Sequence, residues 1–288
     1  MIDISHKLLP WLLPWEFSPT VLLTVGGAAV LFARGAAREA RAGRRMFWLR
    51  QWSFYFGLAL IYVPLQTRFD YLAQHMFWIH RLQHLLLHHL GPFFVALSAP
   101  WTAIAAGAPA AVRAPARMLW YGTPIRSVYA FLQRPLVAFA LFIGLIAFWL
   151  WPSVHFDAML NATDYRLMNW SMALDGLLFW WLLFDPRSRE QGAQIGFGAR
   201  IPIIVLAIPP QILIGAYLCL HHGIVYDVYA VCGRLWPIDP VMDQQIGGLI
   251  TWIPASMMSV IATLILIKRS MYYDNFRRQA AQARAVEA

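Results

Sequence analysis

Charge is scarce in this chain. Only 13% of its 288 residues are charged and 60% are hydrophobic, against about 25% and about 45–50% in an ordinary soluble domain. That shortage excludes a soluble globular class and leaves no stretch for a second, soluble domain. Acidic residues are fewer still, 14 against 23 Lys and Arg. Cysteine is limited to Cys219 and Cys232, for which a disulfide, a soft-metal site and two inert thiols are all open readings. Catalytic signatures are missing as well. There is no H-E-x-x-H, no pair of carboxylates at catalytic spacing, no phosphate loop and no nucleophile–base motif. The chain is therefore not expected to be an enzyme. Its N-terminus, with Asp3 and His6 and no basic start, does not read as a secretory signal.

What the chain has is long apolar blocks. A bilayer-crossing helix needs roughly 20 mostly apolar residues, because the hydrocarbon is about 30 Å thick. Seven blocks approach that length: Pro19–Ala33, Met46–Gln66, Leu72–Ala105, Pro135–Trp151, Arg166–Phe184, Ile201–Leu220 and Ile246–Ile267. The third is long enough to be a helix broken at Gly91-Pro92, since proline removes a backbone donor. The expected fold is all-α, a polytopic membrane bundle of about seven helices over residues 19–268. Residues 1–18 would be an interfacial segment with Trp11 and Trp15 at the membrane surface, and 269–288 a basic cytoplasmic tail.

The net charge of +9 is explained by placement. Arginine and lysine gather after blocks one, three, five and seven, as in Arg34 to Arg45, Arg113 to Arg134, Arg187 to Arg200 and Lys268 to Arg284, and the alternate loops hold few. Basic loops stay cytoplasmic. The expected orientation is an outside N-terminus and an inside C-terminus, with the lipid bilayer as partner and no nucleic acid.

Given that orientation, none of the nine histidines falls in a cytoplasmic loop. His80, His84 and His88 are spaced i, i+4, i+8 and share an arc of about 80° on one helix. Two imidazoles so spaced can hold one metal ion, and intramembrane ionisable groups mark functional sites by default. Histidines that merely hydrogen-bond between helices are the plainer alternative, and it is the expected role of His75 and His89. His155, His221 and His222 lie on the same side and are candidate further ligands, as is Asp243, for which a helix N-cap is the competing role. Asp175, in mid-helix, is expected to pair with Arg81 or His88 as a structural ion pair. Such a donor set suits copper better than magnesium or calcium, with zinc equally compatible on histidine alone.

Two stretches are similar to the seven-span, integral-membrane CtaG family of cytochrome c oxidase assembly factors. His80-Arg81-Leu82-Gln83-His84-Leu85-Leu86-Leu87, followed by Gly91-Pro92, resembles the family's H-x-x-Q-H-x-L-L segment and helix break. The run from Asp243-Gln244-Gln245-Ile246-Gly247-Gly248 to Pro254 resembles its D-Q-x-x-G-G-L-I-x-W-x-P signature, and Gly176 to Trp181 its helix-five segment. The resemblance implies an assembly factor that handles or delivers copper at the extracytoplasmic face of a bacterial inner membrane. Its partners would be cytochrome c oxidase subunits and periplasmic copper chaperones. Many members carry a W-H-x-P element after helix four and two histidines at the start of helix five, where this chain has Trp151, Tyr165 and Asn169. The implied site is then either reduced or completed by His155, His221 or His222. The rival readings are a haem-binding electron-transfer protein and a metal permease, which would need a polar path through the bilayer.

Overall fold

The computed structural model describes residues 16–287, so the expected interfacial segment lies almost wholly outside the described residues. Thirteen α-helices carry the described chain, and no strand occurs among them. In order they are α1 (Pro19–Arg41), α2 (Trp48–Gln66), α3 (Arg68–His75), α4 (Phe77–Leu97), α5 (Trp101–Gly107), α6 (Ala110–Gly122) and α7 (Ile125–Leu132). Then come α8 (Pro135–Trp149), α9 (Pro152–Leu160), α10 (Ala162–Phe184), α11 (Phe197–Leu220), α12 (Val228–Cys232) and α13 (Pro240–Glu287). Four of them, α1, α10, α11 and α13, are long and apolar enough to cross a membrane. The number rises to six if α4 with α5, bent by 73°, and α7 with α8, bent by 77°, each make one span. The second apolar block does form a helix, α2, but it is not among those six.

The third block breaks later than its sequence suggests. Pro92 has no N–H, so the carbonyl of His88 loses its helical partner. The chain absorbs this by widening into a π-helical turn over Leu85–Leu90, where the Gly91 N–H bonds the Leu86 carbonyl five residues back. The freed His88 carbonyl accepts instead from Trp180 Nε1 on α10 at 3.2 Å. Gly176 makes that approach feasible, since a Cβ there would sit 2.4 Å from the same oxygen. The true break is at Ser98–Pro100, where Ala99 takes a left-handed φ of 48°. Close backbone approach matters here because lipid supplies no hydrophobic drive between helices, and packing must do so.

One end of the bundle is basic, and there arginines answer the unpaired carbonyls of helix C-termini. Arg50 Nε and Nη2 donate to the carbonyls of Ser98 (2.9 Å) and Ala99 (3.0 Å) at the end of α4, and Arg38 donates to that of Ala106 in α5. Arg269 donates to the Phe184 carbonyl at 3.0 Å. Arg200, fully buried, donates to the carbonyls of Leu183, Asp185, Arg187 and Ile195 and so organises the loop after α10.

Candidate metal centre

At the opposite end α4 carries the histidines inward. Its first turn has no cap of its own, because Met76 is extended and offers no side-chain acceptor. Asp243, one turn inside α13, supplies it. Asp243 Oδ1 accepts from the Trp78 N–H at 2.9 Å and Oδ2 from the Phe77 N–H at 3.2 Å, while Arg234 pairs with Oδ2. Asp243 is completely buried. This corrects the expected N-cap role. Asp243 caps α4 rather than its own helix, whose cap is Asp239, accepting from the N–H groups of Val241 and Met242. Three donors already sit on its two oxygens, which together offer about four lone-pair sites.

His80 and His84 stand one turn apart with ring centroids 4.4 Å from each other, and both are shut off from solvent. Neither ring nitrogen of His80 has a hydrogen-bond partner, nor has Nε2 of His84. Arg81 Nη1 lies 3.5 Å from His84 Nδ1, at the outer limit of a hydrogen bond, and its Nε donates to Thr251 Oγ1 at 3.0 Å. His155 on α9 covers the pair, its ring 5.0 Å from that of His80 and edge-on. Its Nδ1 donates to the Trp149 carbonyl and its Nε2 accepts from the Tyr229 hydroxyl, each at 3.0 Å. His155 is thus brought to the site, with both nitrogens engaged.

The remaining histidines part company. His88 Nε2 pairs with Asp175 Oδ2 at 3.0 Å and the ring stacks on Phe142 at 4.2 Å, so the mid-helix carboxylate meets His88 and not Arg81. Its Nδ1, like that of His89, has no partner and lies by a cavity of about 10 Å³ lined by Arg81, His84, His88, His89 and Thr251. That is room for about one water. His221 and His222 lie at the end of another helix. They terminate α11, His221 against Tyr217 at 5.3 Å and His222 exposed. The 223–227 loop that follows brings Tyr226 back onto Phe77 (4.4 Å) and edge-on to His155 (4.8 Å), so a tyrosine rather than either histidine reaches the site from this segment. Among the described residues no three His, Cys, Asp or Glu side chains converge as a metal-binding group. Cys219 and Cys232 are both free thiols.

One carboxylate close to the pair carries no signal in the sequence. Asp70, in the first turn of α3, accepts from Gln83 Nε2 at 2.7 Å and from the Tyr165 hydroxyl at 2.9 Å, and Gln74 donates to its other oxygen at 3.1 Å. Gln83 also donates to the Pro64 carbonyl at 2.8 Å. The Tyr165 ring lies 6.1 Å from His80, and Asn169 stands close to His84 and Tyr165 but out of hydrogen-bond geometry with His84 Nε2. Burial raises the Asp70 carboxyl from its ordinary range to about 6, against the pull of Tyr165, Gln83 and Gln74. Gln83 was visible inside the H-x-x-Q-H segment. Nothing in spacing ties Asp70 to Tyr165, which lies 95 residues away.

Fold and site together define a multi-pass helical membrane protein with a buried, incompletely satisfied imidazole pair near one end. Compared with known families, residues 30–272 match the cytochrome c oxidase caa3 assembly factor (Caa3_CtaG), and the chain belongs to that family. It thereby falls among proteins that assemble cytochrome c oxidase. No curated protein and no solved structure matches it.

Proposed function

We propose that the chain takes part in oxidase assembly by holding a cuprous ion between His80 and His84 and passing it on at the outer face of a bacterial inner membrane. The observation that carries this is the set of three unpartnered ring nitrogens on two adjacent, fully buried imidazoles. Buried polar atoms are nearly always satisfied, and exceptions call for a ligand, water or ion. Imidazole suits copper. The charge balance narrows the ion further. Arg81 stands beside His84, while the carboxylates around the pair are already engaged, Asp70 with Tyr165 and Gln83, Asp175 with His88 and Asp243 with Arg234. A singly charged ion meets less repulsion in such a pocket than a divalent one. His155, resting on His80, becomes a third ligand if it exchanges the Tyr229 hydroxyl for the ion. The haem reading has less in its favour, since the histidine-lined cavity holds only about one water.

The test replaces both His80 and His84 by alanine. The expected result is normal membrane insertion, loss of cuprous binding by the purified protein in competition with a chromogenic chelator, and an oxidase low in copper. Unaltered oxidase copper and activity in cells making only the double variant would refute it, and so would wild-type protein that never retains copper.

A further inference from the structure

A second, much larger cavity of about 1140 Å³ opens at the basic end of the bundle, away from the histidines. It exceeds the usual small-molecule pocket of about 300–1,000 Å³. Its long wall is one face of α10, with Leu174, Leu178, Trp181, Leu182 and Asp185 recurring at helical spacing. The eleven rises of about 1.5 Å from Leu174 to Asp185 make that face about 16 Å long. Along it the chemistry changes from leucine at mid-helix, through Trp181, to charge at the helix end. Trp181 stands edge-on to Trp101, another lining residue, at 5.6 Å. Around the charged end stand four arginines, Arg50, Arg126, Arg187 and Arg269, against a single carboxylate, Asp185.

That carboxylate is already taken, since Arg187 grips both its oxygens at 2.7 to 3.2 Å. Arg50 and Arg269 each give part of their donor fork to helix-end carbonyls. A guanidinium has five N–H donors, so each keeps others to spare. Arg126 is exposed and lies 5.4 Å from the Tyr121 ring centroid. The cavity is therefore an apolar slot with a cationic mouth, bordered by aromatic side chains of the kind that settle at headgroup depth. Its entrance is also where Ala99 keeps its left-handed backbone, pinned by Arg50. Strained residues of this sort gather at ligand sites.

We propose that this cavity binds an anionic phospholipid of the basic-side leaflet, the phosphate lying between Arg126, Arg269 and Arg50 and one acyl chain running along Leu182, Leu178 and Leu174. Arginine recognises phosphate through paired, charge-assisted hydrogen bonds. A lipid matches both the apolar run of about 12 Å from Leu182 to Leu174 and the cationic mouth, whereas free phosphate would use only the mouth.

The experiment titrates detergent-purified, delipidated full-length protein with dioleoylphosphatidylglycerol, dioleoylphosphatidylcholine and inorganic phosphate in separate arms, with occupancy read by native mass spectrometry. Wild type, Arg126→Gln, Arg269→Gln and the exposed control Arg113→Gln are compared. One lost hydrogen bond to a charged group corresponds to about tenfold in affinity. Phosphatidylglycerol should bind about tenfold more weakly to Arg126→Gln and no differently to Arg113→Gln, and phosphatidylcholine should bind poorly throughout. Equal binding of the two lipids overturns the proposal, as does displacement of phosphatidylglycerol by millimolar inorganic phosphate. Equal behaviour of the 126 and 113 variants overturns it too. If Arg269→Gln unfolds through loss of its bond to Phe184, the 126 variant still decides, because its side chain is exposed.

Discussion

Replacing Asp243 by alanine removes one carboxylate that three groups depend on. The backbone N–H groups of Phe77 and Trp78 lose the cap of α4, and Arg234, whose side chain is only 13% exposed, loses its counter-charge. A lost cap costs about 0.5–2 kcal/mol, and removing one partner of a buried pair about 3–5 kcal/mol. These terms overlap, so the expected loss is about 3 kcal/mol or somewhat more. That is roughly a hundredfold in the folded-to-unfolded ratio. The assay is equilibrium unfolding in mixed micelles of mild detergent and sodium dodecyl sulfate, followed by tryptophan fluorescence. Arg234→Ala alone should cost less, since both N–H caps survive. The double variant should lose less than the sum of the singles by about 0.5–3 kcal/mol, the coupling of contacting residues. A change within about 0.5 kcal/mol for Asp243→Ala, the range of ordinary surface substitutions, would refute the capping role, as would strict additivity. Copper retention per folded molecule should not move. If it falls while stability holds, Asp243 is a ligand after all.

Gly176→Val should destabilise the protein by about 1–3 kcal/mol through overpacking, because its Cβ has no room beside the His88 carbonyl. The measurement is the thermal unfolding midpoint, and wild-type behaviour would show that α10 does not close on α4 there. For Asp70 the sign follows from a carboxyl raised to about 6 when folded. The folded state binds more protons than the unfolded one between about pH 4 and 6. Stability should therefore fall as pH rises through that window and level off above it. Asp70→Asn should lose this dependence, so an unchanged pH profile in that variant would count against it.

The sequence carried the helical class and the membrane setting, because both depend on one-dimensional quantities: the length of apolar runs and the scarcity of charge. It also carried the His80–His84 pairing, because a residue four positions on lies nearly above the first in any α-helix. Other features were hidden, for a common reason. Proline's missing donor points to a break in α4 at Gly91-Pro92, but Trp180 of another helix takes up the orphaned carbonyl and the helix continues to Leu97. In the sequence the arginines speak only for orientation, while in the fold several of them serve helix ends distant in sequence.

The histidine site divides along the same line. Local periodicity determined which two imidazoles face each other. Only the tertiary structure decided their company: His155 above them with its nitrogens engaged, Asp70 and Gln83 behind Tyr165, and Asp243 turned to a backbone it caps. It also left His221 and His222 apart. Helical spacing fixes directions within one element, but which elements meet depends on packing, close backbone approach and the need to satisfy every buried polar group. Those conditions act across the whole chain and leave little trace in any single segment.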